Sequence, residues 1–107
     1  MSTSLENRTE SIRFEYLYRD AGNNKNYGEV IFSNNLKLSL EEIERRIQQC
    51  FVDGCYFNAK EWNLPDLHLK YWDEAIDHEW HEYMSVSKSN QQTSYIDITA
   101  LFKNTQV

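Results

Sequence analysis

The stretch that decides the fold is residues 38–54, LSLEEIERRIQQCFVDG. Ser39 is followed three residues later by Glu42, which is the capping-box pattern of a helix N terminus. Gly54 is placed to end the helix in the left-handed conformation. Between them, apolar side chains recur at the spacing of one helical face, at Leu40, Ile43, Ile47, Cys50 and Phe51. The stretch therefore predicts one amphipathic helix of about three to four turns that covers a core.

Strand patterns lie on both sides of this helix. Before it, Ile12–Arg19 and Tyr27–Phe32 alternate apolar and polar side chains, and the turn-forming segment Asp20–Asn26 joins them into a predicted hairpin. After it, Leu67–Trp72 and His78–Val86 alternate in the same way. The order β-β-α-β-β predicts an α+β fold, in which a small antiparallel sheet is backed by one amphipathic helix.

The ends of the chain give weaker signals. Residues 1–11 are polar and lack periodicity, so we expect a flexible N terminus followed by a single globular domain over residues 12–107. Tyr95–Phe102 fits either a terminal strand or a short helix.

No apolar run is long enough to span a membrane and no signal peptide is evident, so we expect a cytoplasmic protein. Cys50 and Cys55 are then expected to be reduced thiols, and their spacing is not that of a zinc site.

Composition and charge narrow the function classes. Aromatic residues make up 14% of the 107 residues, more than so small a core easily buries, which favours a ligand site or a subunit interface. The segment 61–82 contains one base, Lys70, while acids and bases balance elsewhere, so the net charge of −6 lies in this segment. Its acids are Glu61, Asp66, Asp73, Glu74, Asp77, Glu79 and Glu82. This charge argues against direct nucleic-acid binding.

Two constellations of residues could bind a ligand. Arg19 and the turn Gly22-Asn23-Asn24-Lys25 could hold a phosphate through backbone amides and cations, although a solvated hairpin turn is the commoner outcome. An aromatic set beside Asp66 could stack on a purine while the carboxylate binds a base or a sugar hydroxyl. Its members are Tyr56, Phe57, Trp62 and Trp72, of which Phe57 is better explained by core packing.

The three histidines form a third constellation, because His68, His78 and His81 fall within fourteen positions among carboxylates. A metal site would need them to converge, yet His78 and His81 point to opposite faces if this segment is a strand. A histidine beside a carboxylate can also act as a base or bind a ribose hydroxyl. Polar binding residues or structural histidines are favoured over metal binding or catalysis.

Five segments of the sequence together resemble a family of small phage and bacterial proteins. The segments are FEYLYRDAGNNKNYGEVIFSNN, LSLEEIERRI, DGCYF, LPDLH and DHEWHEY. Over about Phe14 to Val86 the chain resembles the Thoeris anti-defence proteins, which bind cyclic ADP-ribose signals without cleaving them. The resemblance implies a homo-oligomer, a dimer or a hexamer, with ligand pockets shared between protomers. Some members also hold cyclic trinucleotides at separate sites.

The resemblance also implies which residues meet the ligand. Tyr56 would be the aromatic after the helix, Asp66 the polar residue of the Pro-x-Leu segment, and Asp77-His78 the DH pair. Asp66 departs from the asparagine that the family often has, and a carboxylate there would repel a nearby phosphate. Together with the basic residues and the turn, the candidate ligand-binding residues are Arg13, Arg19, Asn24, Lys25, Tyr56, Asp66, Asp77 and His78.

The sequence thus leads to one expected function and two alternatives. We expect a non-catalytic sponge that sequesters a cyclic ADP-ribose-type nucleotide in the host cytoplasm, with no cofactor and no metal. The first alternative is an acidic inhibitor that mimics nucleic acid and covers a basic groove on a host defence enzyme. The second is a small metal-dependent hydrolase built on the histidines.

Overall fold

The computed structural model describes residues 11–68, 80–91 and 96–105. Four strands form one sheet: β1 (Ser11–Arg19), β2 (Lys25–Ser33), β3 (Tyr56–Asn58) and β4 (Trp80–Ser89). Within the described residues, one α-helix, α1 (Leu40–Cys50), lies between β2 and β3 in the chain, and two 3-10 helices span Ala59–Trp62 and Ile98–Thr105. The predicted α+β class, an antiparallel sheet with one helix, is confirmed.

The sheet has the strand order β2-β1-β4-β3, and all neighbouring strands are antiparallel. The predicted hairpin is present, since β1 pairs with β2 over its whole length, from Ser11 opposite Ser33 to Arg19 opposite Lys25. On its other side β1 pairs with β4, with a register shift between Glu15 and Tyr16. In the sheet, β4 therefore lies between β1 and β3, and the short β3 forms an edge.

Helix α1 begins where the capping signal places it. The Ser39 hydroxyl oxygen accepts a hydrogen bond from the Glu42 amide at 3.1 Å. The helix ends earlier than predicted, at Cys50, because Phe51 adopts an extended conformation and its ring stacks on Phe57 in the core, with centroids 4.6 Å apart. Gly54, at φ 71°, turns the loop that leads to β3 instead of ending the helix.

The two faces of the sheet differ. The even-numbered residues of β1 point to the side of α1 and are almost fully buried there: Ile12, Phe14, Tyr16 and Tyr18. Ile43 and Ile47 of α1 are buried in the same core. We call this side the core face. The odd-numbered residues of β1 from Arg13 to Arg19 point to the other side. We call this side the open face because α1 does not cover it.

Three predictions about the second half of the chain need correction or extension. Leu67–Trp72 was predicted as a strand, but Leu67 and His68 belong to no strand and the rest lies outside the described residues. The third strand is formed instead by Tyr56–Asn58, which pair with β4. The predicted strand His78–Val86 corresponds to β4, which is described from Trp80 and continues to Ser89.

The C-terminal segment adopts the helical alternative, a 3-10 helix at Ile98–Thr105. Ile98, Leu101 and Phe102 are buried in the core. Cys50 and Cys55 are both free thiols, as expected. Within the described ranges, no helix has the length and apolar character needed to cross a bilayer.

Candidate functional site: a groove on the open face

A groove of about 450 Å³ lies at one end of the open face, lined by Arg19, Val52, Tyr56, Trp80 and Glu82. The register of the sheet explains why these residues meet. Glu82 of β4 lies opposite Leu17 of β1 on one side and opposite Tyr56 of β3 on the other. Arg19 and Trp80 are each two residues further along their strands, so their side chains point to the same face.

An ion pair forms one wall of the groove. The Arg19 Nε and Nη2 atoms donate to the two carboxylate oxygens of Glu82 at 2.9 and 3.1 Å, and Arg19 Nη1 donates to Asn23 Oδ1 at 2.6 Å. The Glu82 side chain is 17% exposed and that of Arg19 is 36% exposed. The hydrogen bond to Glu82 raises the pKa of Arg19, so the guanidinium stays charged. Its plane is fixed by three hydrogen bonds.

Apolar side chains form the rest of the groove and leave much of their surface in solvent. Tyr56 is 39% exposed, Trp80 45% and Val52 52%. Tyr27, which is opposite Leu17 in the register of β1 and β2, extends this aromatic surface along the open face. Exposed aromatic side chains beside a fixed guanidinium are suited to stacking on a planar, polar ligand.

The backbone amides of the hairpin turn donate hydrogen bonds to Asp20 within the turn itself. The Asn24 amide donates to Asp20 Oδ1 at 2.8 Å, and the Asn23 amide donates to the Asp20 carbonyl at 2.9 Å. The Asn24 side chain also binds the Asp20 carboxylate. The place that a phosphate would take on these amides is therefore filled by Asp20. Lys25, exposed and opposite Arg19 in the sheet, is the cation that the turn offers.

Arg13 lies at the far end of the open face. Six residues of extended strand separate it from Arg19, a distance of about 20 Å at 3.3 Å per residue. Its guanidinium pairs with Glu29 at 3.3 Å and contacts the Gln91 side chain at 3.4 Å. The structure therefore does not bring Arg13 into the groove.

Asp66 lies on the core face of the sheet, whereas Tyr56 lies on the open face. Its carboxylate is 3.0 Å from His68 Nδ1 and 3.6 Å from Nε2 of His81, whose side chain is buried on the core face. The neighbouring Leu67 packs over β2 so closely that a Cβ on Gly28 would lie 2.8 Å from Leu67 Cδ2. Within one chain, the sheet separates Asp66 from the groove.

His81 is held in a structural setting. Its Nε2 accepts a hydrogen bond from the Leu67 amide at 3.0 Å, so this nitrogen carries no proton in the described state. Its ring packs among Tyr18 and Phe57. Burial, with a smaller contribution from Asp66, raises the pKa of neighbouring Tyr16 to about 12. In the described part of the chain, no three His, Cys, Asp or Glu residues are grouped to hold a metal ion.

Two of the predicted ligand-binding residues, Asp77 and His78, lie outside the described residues, as does Trp72. Conversely, the groove contains Trp80 and Glu82, which sequence reasoning did not select. The alternation in β4 was the available signal, because it places Trp80 and Glu82 on one face and His81 on the other. Their meeting with Arg19 depends on strand order, which alternation does not reveal.

The chain matches no protein-family model, no characterised protein and no solved structure. The groove, with its ion pair and its exposed aromatic side chains, is the candidate ligand site.

Proposed function

We propose that the protein is a non-catalytic sponge that binds a cyclic ADP-ribose-type nucleotide in the open-face groove and sequesters it in the host cytoplasm. One observation carries the proposal: Tyr56 and Trp80 expose their rings beside the fixed Arg19–Glu82 pair. An adenine base can stack on such rings, and a guanidinium can bind the phosphates.

The composition of the groove supports binding over catalysis. Among the residues that the structure describes, its lining consists of one cation, one anion and three apolar or aromatic side chains, without serine, cysteine or histidine. A nucleophile paired with a base, as acyl or glycosyl transfer would require, is not among these five residues. A sponge needs tight binding with no bond broken, and aromatic surface with fixed polar groups meets that need.

The resemblance to the Thoeris anti-defence proteins supplies the biological part of the proposal. It implies that the sequestered nucleotide is a host immune signal and that protomers share their pockets. A shared pocket also accounts for Asp66, because in a homo-oligomer the core side of one protomer can approach the open face of its neighbour. In that arrangement Tyr56 and Asp66 would contact one ligand from two chains.

Calorimetry with cyclic ADP-ribose tests the proposal. We expect saturable binding by the wild-type protein, and a loss of about ten- to hundredfold in affinity for Tyr56→Ala, the effect of losing one base–aromatic stack. Leu36→Ala is the matched control, because Leu36 is also exposed but does not line the groove. Heat-denatured complex should return the same nucleotide by chromatography.

Other outcomes would select an alternative. Linear products that accumulate with turnover and vanish with a chelator would favour the hydrolase. Charge reversal at Asp73 and Glu74 tests the acidic inhibitor. If that reversal abolished inhibition of a host enzyme while Tyr56→Ala had no effect on nucleotide binding, the sponge would be wrong. Two of the acids that motivated the inhibitor, Asp66 and Glu82, are already paired with His68 and Arg19.

A further inference from the structure

The cation of the groove is already occupied in the free protein. A guanidinium offers five N–H donors, and the pair formed by Nε and one Nη is the edge that binds two oxygens of a carboxylate or phosphate at once. In Arg19 this edge meets the two oxygens of Glu82, at 2.9 and 3.1 Å. Asn23 takes a further donor at 2.6 Å. Glu82 therefore stands where two oxygens of a phosphate would bind.

Charge leads to the same conclusion. The five described lining residues contain Arg19 as their cation and Glu82 as their anion, so the charges of these five cancel. A phosphate that approaches Arg19 also approaches the Glu82 carboxylate and is repelled by it. The carboxylate is attached to β4, next to β1, so it competes at the high effective concentration of an intramolecular partner.

We propose that Glu82 is a built-in competitor for Arg19, which an anionic ligand must displace, and that this competition keeps weakly binding anions such as free phosphate from occupying the guanidinium. The inference rests on the proposed function, because it identifies the part of the nucleotide that Arg19 reads. A phosphate that binds Arg19 alone gains about as much from the guanidinium as Glu82 already does. A ligand whose phosphate binds Arg19 while its planar group stacks on Tyr56 and Trp80 gains more, because stacking adds to the binding free energy.

Such a competitor suits a protein that sequesters a scarce signal. Chloride and singly charged phosphates are abundant in cells, and an unoccupied guanidinium in an open groove would bind them. With Glu82 in place, a ligand needs a phosphate group for Arg19 together with a planar group for Tyr56 and Trp80. Glu82 thus sets the binding free energy that a ligand must exceed to reach Arg19.

The test uses inorganic pyrophosphate, followed by NMR through the Nε–H signal of Arg19 in ¹⁵N-labelled protein. In Glu82→Gln the side chain keeps its size but loses its charge. We expect pyrophosphate to bind this variant roughly three- to tenfold more tightly than the wild type, the range for loss of a partly exposed ion pair.

Glu29→Gln is the matched control, because Glu29 pairs with Arg13 at 3.3 Å at the far end of the same face. It should leave pyrophosphate binding at Arg19 unchanged. If Glu82→Gln does not fold, Glu82→Asp keeps the charge but retracts the carboxylate, and it should tighten binding by a smaller factor.

Equal affinities for wild type and Glu82→Gln, weaker binding by the variant, or the absence of a saturable shift at Arg19 in the variant would each overturn the inference. Pyrophosphate has no base, so the result does not depend on nucleotide binding. Tight pyrophosphate binding by Glu82→Gln without any binding of cyclic ADP-ribose would overturn the proposed function alone.

Discussion

The core face and the open face of the sheet are built from the same strands but hold opposite kinds of chemistry. On β1, the core face carries Phe14 and Tyr16 in a cluster of aromatic rings, while the open face carries Arg13 and Arg19 in ion pairs. On β3, neighbouring residues divide in the same way, because Phe57 is buried and Tyr56 is exposed. Because side chains alternate between the two faces, one short strand can contribute to the core with one residue and to the groove with the next.

The largest expected effect is on the core face. Phe14 is fully buried and its ring contacts five others, including Tyr83 at a centroid distance of 5.6 Å. Phe14→Ala should lower the free energy of unfolding by about 3–5 kcal/mol, through lost burial and a cavity. Urea denaturation measures it, with Tyr56→Ala as the open-face control, expected within about 0.5 kcal/mol of wild type. Equal losses in the two variants would contradict the division between the faces.

A smaller effect is expected where the C-terminal segment joins β2. Asp97 accepts hydrogen bonds from the Asn35 amide, the Ser33 hydroxyl and both donors of Thr99. Burial opposes its charge, but these bonds outweigh burial and lower the pKa of Asp97. Asp97→Asn should therefore cost about 1–2 kcal/mol of stability at pH 7.

The sign of the pH dependence follows from the lowered pKa. Because the folded protein binds the Asp97 proton more weakly than the unfolded chain, the stabilisation is complete above the unfolded pKa of about 3.9. It is lost as the pH falls through the lower, folded value. Denaturation of wild type and Asp97→Asn should differ at pH 7 and converge below about pH 4. A difference that stays constant with pH would show that the charge of Asp97 is not what stabilises this junction.

Sequence reasoning found the elements whose signals are local. The cap at Ser39 and the alternation over Ile12–Arg19 lie within a few residues of the structure they specify, and both are confirmed. The edge strand β3 has only three residues, and its conformation depends on pairing with Glu82 and its neighbours more than twenty residues later. No local pattern in Tyr56–Asn58 carries that information, whereas the alternation over Leu67–Trp72 predicted a strand there.

The candidate site was predictable to a similar extent. Arg19 and Tyr56 could be selected as a cation and an exposed aromatic, and the structure places both in one groove. The partner of Arg19, Glu82, is 63 residues away, and only the position of β4 beside β1 brings the two together. Asp66 follows Pro65 in a segment with no periodic pattern, so its position on the core side depended on tertiary packing.

The smallest expected effect compares two tyrosine hydroxyls on the two faces. Tyr16, buried on the core face, donates from its hydroxyl to the Pro65 carbonyl at 2.7 Å, which holds the segment that carries Asp66. Tyr16→Phe keeps the ring but leaves that carbonyl without its donor, so the free energy of unfolding should fall by about 1 kcal/mol. Tyr56→Phe removes a hydroxyl from the open face, where water can replace any hydrogen bond, and should change stability by less than about 0.5 kcal/mol. The pair is measured by urea denaturation of both variants beside the wild type. Cyclic ADP-ribose binding should respond little to either change, since each leaves the aromatic ring in place. A larger loss of stability in Tyr56→Phe than in Tyr16→Phe would mean that the exposed hydroxyl stabilises the fold more than the buried one does. That result would contradict the division of roles between the two faces.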